Sequence, residues 1–274
     1  MNKKNNIYAL FIGIISVIFI LGGLFLIKKL NNKNIEVKKE NNKYQEITNY
    51  IEKNLSRYKE YNKLKNLNTK DTVTYVNIGL DYPFYTNIKT IKDTTNPLII
   101  VNKYNALPED YEPNDLVKIS SDKTFKEEYI KSNVLSSINK MFDDAKKDNI
   151  NMYIVSGYRT SSYQEKLYNK YVLNDGVLKA DTYSARKRHS EHETGYAIDI
   201  TSSNGSLDDF INTKEYTYLL DHAHLYGFIQ RYTKEKENIT GYKCEPWHYR
   251  YVGIEHAKII KEKNITLEEY KELY

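Results

Sequence analysis

Three short stretches of the chain gather residue types that can carry out hydrolysis: Ser156-Gly157-Tyr158-Arg159, the run from Ser190 through His192 and Gly195 to Asp199, and Glu245-Pro246-Trp247-His248. A hydrolytic zinc centre takes three protein ligands and leaves one position for water. His192, Asp199 and His248 offer two imidazoles and a carboxylate. Asp199 falls on the Ala197 side of an alternating segment, opposite Tyr196, Ile198 and Ile200. A carboxylate pointing inward there needs a partner, and a cation provides one. Glu245 stands three residues before His248, with Pro246 between them. Proline interrupts regular strand pairing, so strict alternation need not keep the two side chains apart. Glu245 is then the candidate general base.

Taken singly, each of these residues has an ordinary structural role. A histidine on a strand packs or faces solvent, Asp199 caps a turn, Glu245 is a solvated carboxylate, and Arg159 is a surface or paired charge. It is their co-occurrence that points to a site. His222 and His224 sit two apart on an expected helix and so do not share a face; they are assigned to structure or surface. His189 and His256 are read the same way, and Cys244 is read as an unreactive lone thiol.

Elements able to position these residues can be read from hydrophobic spacing. Pro97–Val101 reads as a short strand. Residues 128–147 carry apolar side chains at helical spacing. Met152–Val155 reads as a strand, and 161–172 as a helix behind the cap candidates Thr160 and Ser161. Residues 196–200 read as a half-buried strand. A helix over 208–225 ends at Gly227, strands follow at 228–232 and 247–252, and helices at about 253–262 and 266–273. Helices segregated from a small antiparallel sheet give an α+β fold.

The chain has 274 residues, a net charge of +5 from well-mixed charges, and one cysteine. Mixed charge argues against a nucleic-acid partner, and a single cysteine excludes an internal disulfide framework. Residues 7–27 form a run of 21 without a charge. As a helix this run reaches about 30 Å, the thickness of a bilayer's hydrocarbon core. It ends in Lys28-Lys29 with no small-residue cleavage site, so an uncleaved anchor is expected rather than a signal peptide. Lysines flank the run on both sides, and the charge bias does not fix its orientation. Residues 28 to about 70 are rich in Asn, Lys and Glu. Ile47, Ile51, Leu55 and Tyr58 suit a thin amphipathic stalk helix.

The three stretches resemble the VanY-type D-alanyl-D-alanine carboxypeptidases, within the wider lysostaphin-like, D-Ala-D-Ala and hedgehog-type metallopeptidases. The pattern S-x-H-x-x-G-x-A-x-D followed by E-x-W-H is complete here. Ser156–Thr160 with Gln164, Tyr226–Tyr232, Thr240–Tyr242 and Arg250–Gly253 extend the likeness over about residues 94–262. Two departures are Lys187-Arg188 where Pro-Gly is frequent, and Glu193 where Gln is frequent. The resemblance implies one zinc ion held by His192, Asp199 and His248. It makes Glu245 the catalytic base and sets Arg159 near the scissile carbonyl or the substrate's terminal carboxylate. Gln164 and Ser190 would bind the end of the peptide, and Trp247 would wall the pocket. The implied fold is a small antiparallel sheet with flanking helices, and the implied substrate is a peptidoglycan stem peptide or its precursor. The expected organisation is a cytoplasmic tail (1–6), a transmembrane helix (7–27), a stalk and adapter (28–93) and an extracytoplasmic zinc peptidase domain (94–274). No protein partner is implied. D,D-dipeptidase, L,D-carboxypeptidase and endopeptidase activity remain open, as does a non-catalytic wall-binding or sensor role.

Overall fold

The computed structural model describes the backbone of residues 3–274 and the side chains of residues 21–39 and 42–274. The chain divides into two compact units, Met1–Val76 and Asn77–Tyr274.

The first unit is helical: α1 (Lys3–Gln45), α2 (Leu55–Lys65) and α3 (Thr69–Asn77). The uncharged run 7–27 expected to cross a membrane lies within α1, and most of it lies outside the residues whose side chains are described. Among the described residues no helix is long and apolar enough to span a bilayer. The expected stalk helix through Ile47 and Tyr58 is broken, because the chain turns over residues 46–51. Tyr58 makes the turn worthwhile: its ring stacks on Tyr44 at 5.7 Å, and its hydroxyl accepts the Ile51 N–H at 3.1 Å.

The second unit takes in part of the segment expected as stalk and adapter. The segment 77–93 joins it through strand β1 (Lys89–Thr90), which pairs in parallel with β2 (Asn105–Ala106). Strands β3 (Leu116–Lys118) and β4 (Tyr129–Lys131) form a small hairpin-like pair ahead of helix α4 (Ser132–Lys147). The expected helix from 128 therefore starts four residues later. The main sheet holds β5 (Met152–Ser156), β6 (Ala197–Ser202), β7 (Phe228–Tyr232) and β8 (Glu245–Tyr251). Its order is β5-β6-β8-β7, with every pair antiparallel. Between β5 and β6 run α5 (Ser161–Asp175) and α6 (Val177–Ala180). Helix α7 (Lys214–His222) precedes β7, α8 (Glu237–Thr240) precedes β8, and α9 (Ile254–Lys263) and α10 (Leu267–Leu273) close the chain.

Helix α4 lays Val134, Ile138, Met141, Phe142 and Ala145 against Ile154, Ile198, Ile200, Phe228 and Tyr249 on one sheet face. Each large side chain buried this way contributes roughly 1.5–3 kcal/mol. A second cluster joins Ile229 and Val252 to Ala257, Ile260, Leu267 and Tyr270 of the last two helices. Strand β6 is buried at all six positions, not half-buried as its alternation predicts. Its Asp199 face is covered too, by the loops that build the site. The expected strand at 97–101 is absent. Its backbone is spent on a side chain, since the Pro97 and Ile99 carbonyls accept Arg250 Nη2 at 2.7 and 3.0 Å. The expected helix 208–225 is shorter, because Thr213 caps α7 by accepting the Tyr216 N–H. A tight helical turn at Ala223–Tyr226 then leads to Gly227, whose φ is +86°.

Candidate metal centre

His192 sits in a single 3₁₀ turn, Glu191–Thr194. Ser190 starts it as a capping box: its hydroxyl accepts the His192 N–H, and the Glu193 carboxylate reaches back to the Ser190 N–H. An acceptor at 193 is all the box requires, so Glu serves where Gln is frequent. Gly195 ends the turn at φ +73°, a conformation side chains disfavour, and a Cβ there would crowd Leu116 and Lys131. The chain then enters β6, which carries Asp199. His248 lies directly across from Asp199 in the β6–β8 register. Facing residues of adjacent strands project to the same side within about 5 Å, which brings the two side chains together.

Glu245 reaches the same place through an irregularity. Between the pairs Gln230↔Tyr249 and Tyr232↔Glu245, β8 advances four residues while β7 advances two. Pro246 falls in this bulge, and Glu245 Oε2 comes to 3.6 Å from His248 Nδ1.

Donor atoms of His192, Asp199 and His248 lie within 4.8 Å of one another, the one such group found among the described residues. Hydrogen bonds set the direction of each imidazole. His192 Nδ1 faces the Gly157 carbonyl oxygen at 2.7 Å. A carbonyl only accepts, so Nδ1 carries the proton and Nε2 is a lone pair. His248 Nε2 faces the Glu191 carboxylate at 3.2 Å, which leaves Nδ1 toward the site. Asp199 Oδ1 stands 3.2 Å from His192 Nε2 and 3.2 Å from His248 Nδ1. It is buried and has no hydrogen-bond partner. Three lone pairs facing one another repel unless a cation lies between them. Donors bonded tetrahedrally to zinc at about 2.0–2.1 Å stand about 3.3 Å apart. Two of the three separations, at 3.2 Å each, match that spacing, and the third lies within 4.8 Å.

Without a cation, protons take up part of the strain. Burial alone would lower His248, but Asp199 and Glu191 hold it up at about 9. Burial and the Arg159 charge lower His192. Burial acts to raise Asp199, but the two histidines and Arg159 hold it well below the usual carboxylate range. Burial lifts Glu245 to about 7, near where a general base works best.

Arg159 is held on three sides. Its Nε donates to Ser156 Oγ at 2.9 Å, Nη2 to Asp199 Oδ2 at 2.7 Å, and Nη1 to Gln164 Oε1 at 3.5 Å. Gln164 also donates to the Ala185 carbonyl. The cleft beside the donors has a volume of about 420 Å³ and is lined by Arg159, Gln164, Ser190, Tyr183, Trp247 and Leu207 among others. That lies within the usual range for small-ligand sites, roughly 300–1,000 Å³. All eight residues singled out from the sequence therefore meet here. Gln164 and Ser190 line the cleft, although each also spends a polar atom on holding the fold.

The remaining histidines and the cysteine fall outside the cluster. His189 Nδ1 is hydrogen-bonded to the Asn102 carbonyl, His222 to Tyr218 and His256 to Tyr270. Burial raises the Cys244 thiol, which keeps it protonated. The basic turn at Lys187-Arg188 is built in: the Arg188 N–H goes to Glu193 and its guanidinium to the Tyr111 carbonyl. Spacing gave no sign of the Gly157 carbonyl or of Glu191. Two arginines on buried strands, Arg231 and Arg250, were the available hint of an unseen carboxylate.

The D-alanyl-D-alanine carboxypeptidase family model VanY matches residues 127–254. A putative carboxypeptidase of Bacillus subtilis (strain 168), YodJ, is 43% identical over 192 residues, covering 68% of this chain and 70% of that protein. Among solved structures, the LD-carboxypeptidase LdcB superposes with a TM-score of 0.64 at 43% identity, covering 69% of this chain and 91% of that one. A mutant of the vancomycin resistance D,D-pentapeptidase VanY, in complex with Zn(II), superposes with a TM-score of 0.56 at 33% identity, covering 64% and 98%. The donor set, the cleft and these likenesses agree, and the chain belongs to the VanY-type D-alanyl-D-alanine carboxypeptidase family of zinc enzymes.

Proposed function

We propose that the protein hydrolyses the terminal D-alanyl-D-alanine bond of peptidoglycan stem peptides, releasing D-alanine, with one zinc ion held by His192, Asp199 and His248. The observation that carries this reading is the convergence of those three donors beside Glu245. A zinc ion in that position supplies Lewis-acid polarisation of the scissile carbonyl and a water acidified toward neutrality. Glu245 takes a proton from the attacking water and returns it to the departing amine. Arg159, fixed by Ser156 and Asp199, directs N–H donors at the oxygen that gains charge or at the substrate's terminal carboxylate. Trp247 and Leu207 wall the cleft.

A second reading, L,D-carboxypeptidase activity, is favoured by the 43% identity to LdcB, against 33% to VanY. Both activities release a terminal D-alanine and differ in the residue before it. Incubation with a pentapeptide ending in D-Ala-D-Ala and with the corresponding tetrapeptide separates them. Release from the pentapeptide alone supports the first reading, release from the tetrapeptide alone supports the second, and release from neither defeats both. Location outside the cell membrane is part of the proposal. It rests on the uncharged run 7–27 and on where such a substrate lies.

A further inference from the structure

Glu191 stands at the unspecified position of the S-x-H motif, yet its side chain is completely buried. Its Oε1 accepts Arg231 Nε at 2.8 Å and Arg250 Nη1 at 2.9 Å. Its Oε2 faces His248 Nε2 at 3.2 Å. Arg231 is clamped from behind by Glu268 of α10, through Nη1 at 2.9 Å and Nη2 at 2.6 Å. Arg250 is pinned to the Pro97 and Ile99 carbonyls. One oxygen of Glu191 thus anchors the carboxylate to two immobilised guanidinium groups, and the other addresses an imidazole. Replacing a buried charge cluster by packed apolar side chains is often neutral or stabilising, so the cluster is weak evidence for a purely stabilising role. The imidazole it touches belongs to a metal donor, and both ring nitrogens of that imidazole are committed.

We propose that Glu191 is a positioning residue for the metal centre. By holding the Nε2 proton of His248 it fixes the ring's tautomer and plane, so that Nδ1 is the donor. The two guanidinium groups bonded to its Oε1 keep the carboxylate from swinging away. The inference rests on the reading of His192, Asp199 and His248 as a zinc site.

Zinc affinity, measured by chelator competition, is compared in the parent and in Glu191→Asp, Glu191→Gln and Glu268→Gln. Aspartate keeps the charge between the arginines but draws the carboxylate back by about 1.5 Å, one carbon–carbon bond. Both Glu191 variants are expected to bind zinc about 10- to 100-fold more weakly. Glu268→Gln strips counter-charge from Arg231 without touching His248, so it should lower the melting temperature of the chelated protein and leave zinc affinity unchanged. Parent-like affinity in Glu191→Asp overturns the inference, as does an equal loss in Glu268→Gln. Nitrogen NMR of the zinc-loaded parent supplies a readout that needs no variant to fold. The His248 proton is expected on Nε2, and a proton on Nδ1 overturns the proposal. A parent that binds no zinc defeats the metal reading, and this inference with it.

Discussion

Replacing Glu245 by Gln removes a proton acceptor while keeping nearly the same shape. Glu245 is not one of the three donors, its nearest oxygen lying 3.6 Å from His248 Nδ1, so zinc should stay bound at full occupancy. Loss of a positioned general base costs about 100- to 10,000-fold in rate, which is about 2.7–5.5 kcal/mol of barrier. Release of D-alanine from a pentapeptide, measured beside metal content, reads both quantities. The same substitution should act oppositely on stability in the zinc-free protein. Burial lifts the Glu245 carboxyl from 4.5 to about 7. Between those values the unfolded chain is ionised and the folded chain still holds the proton, so rising pH favours unfolding. The penalty is absent below about 4.5, grows toward 7 and is constant above. It amounts to at most about 3 kcal/mol, since the side chain keeps 12% exposure and solvent screens part of it. Chelated Glu245→Gln should therefore be more stable than chelated parent at pH 8 and no more stable at pH 4. Undiminished hydrolysis at full zinc occupancy would refute the role of Glu245 as base; parallel stability profiles would refute the account of its burial.

Arg159→Lys replaces a three-contact fork with a single ammonium; kcat/KM on a pentapeptide should fall on the order of 100-fold with zinc content unchanged. Gly157→Ala puts a Cβ 2.4 Å from the Tyr129 carbonyl oxygen. Thermal melts should show a loss of about 1–3 kcal/mol, and chelator competition should show weaker zinc binding, because the displaced Gly157 carbonyl is the one that orients His192. Lys103 is packed among Phe84, Tyr85 and Tyr242, and burial lowers its ammonium to about 7. The unfolded chain keeps that proton up to about 10.5, so stability should rise with pH between about 7 and 10.5. In Lys103→Met that part of the rise should vanish from denaturation curves taken across the interval.

What the sequence encodes locally, it encodes well. Simple alternation gives Asp199 its face, the cap candidate Thr160 accepts the Tyr163 N–H, and Pro246 marks the place where β8 breaks register. Each of these depends on neighbours a few residues away. Several of the misreadings share one physical source, which is a distant partner. The apolar run 97–101 has the composition of a strand, but its carbonyls are claimed by an arginine about 150 residues further on. Residues 77–93 carry little pattern of their own and join the second unit because Lys89-Thr90 finds Asn105-Ala106. Strand β6 alternates like a half-exposed strand, yet both its faces are covered. Glu191 belongs with these: its partners are 40, 57 and 59 residues away in sequence, and nothing in S-x-H distinguishes it from a solvated glutamate. The donors of the metal centre are thus written in short spacing, whereas the groups that aim those donors are written in pairings between strands. A substitution at 191, 231 or 250 falls outside the zinc ligands, and on this argument it alters their geometry all the same.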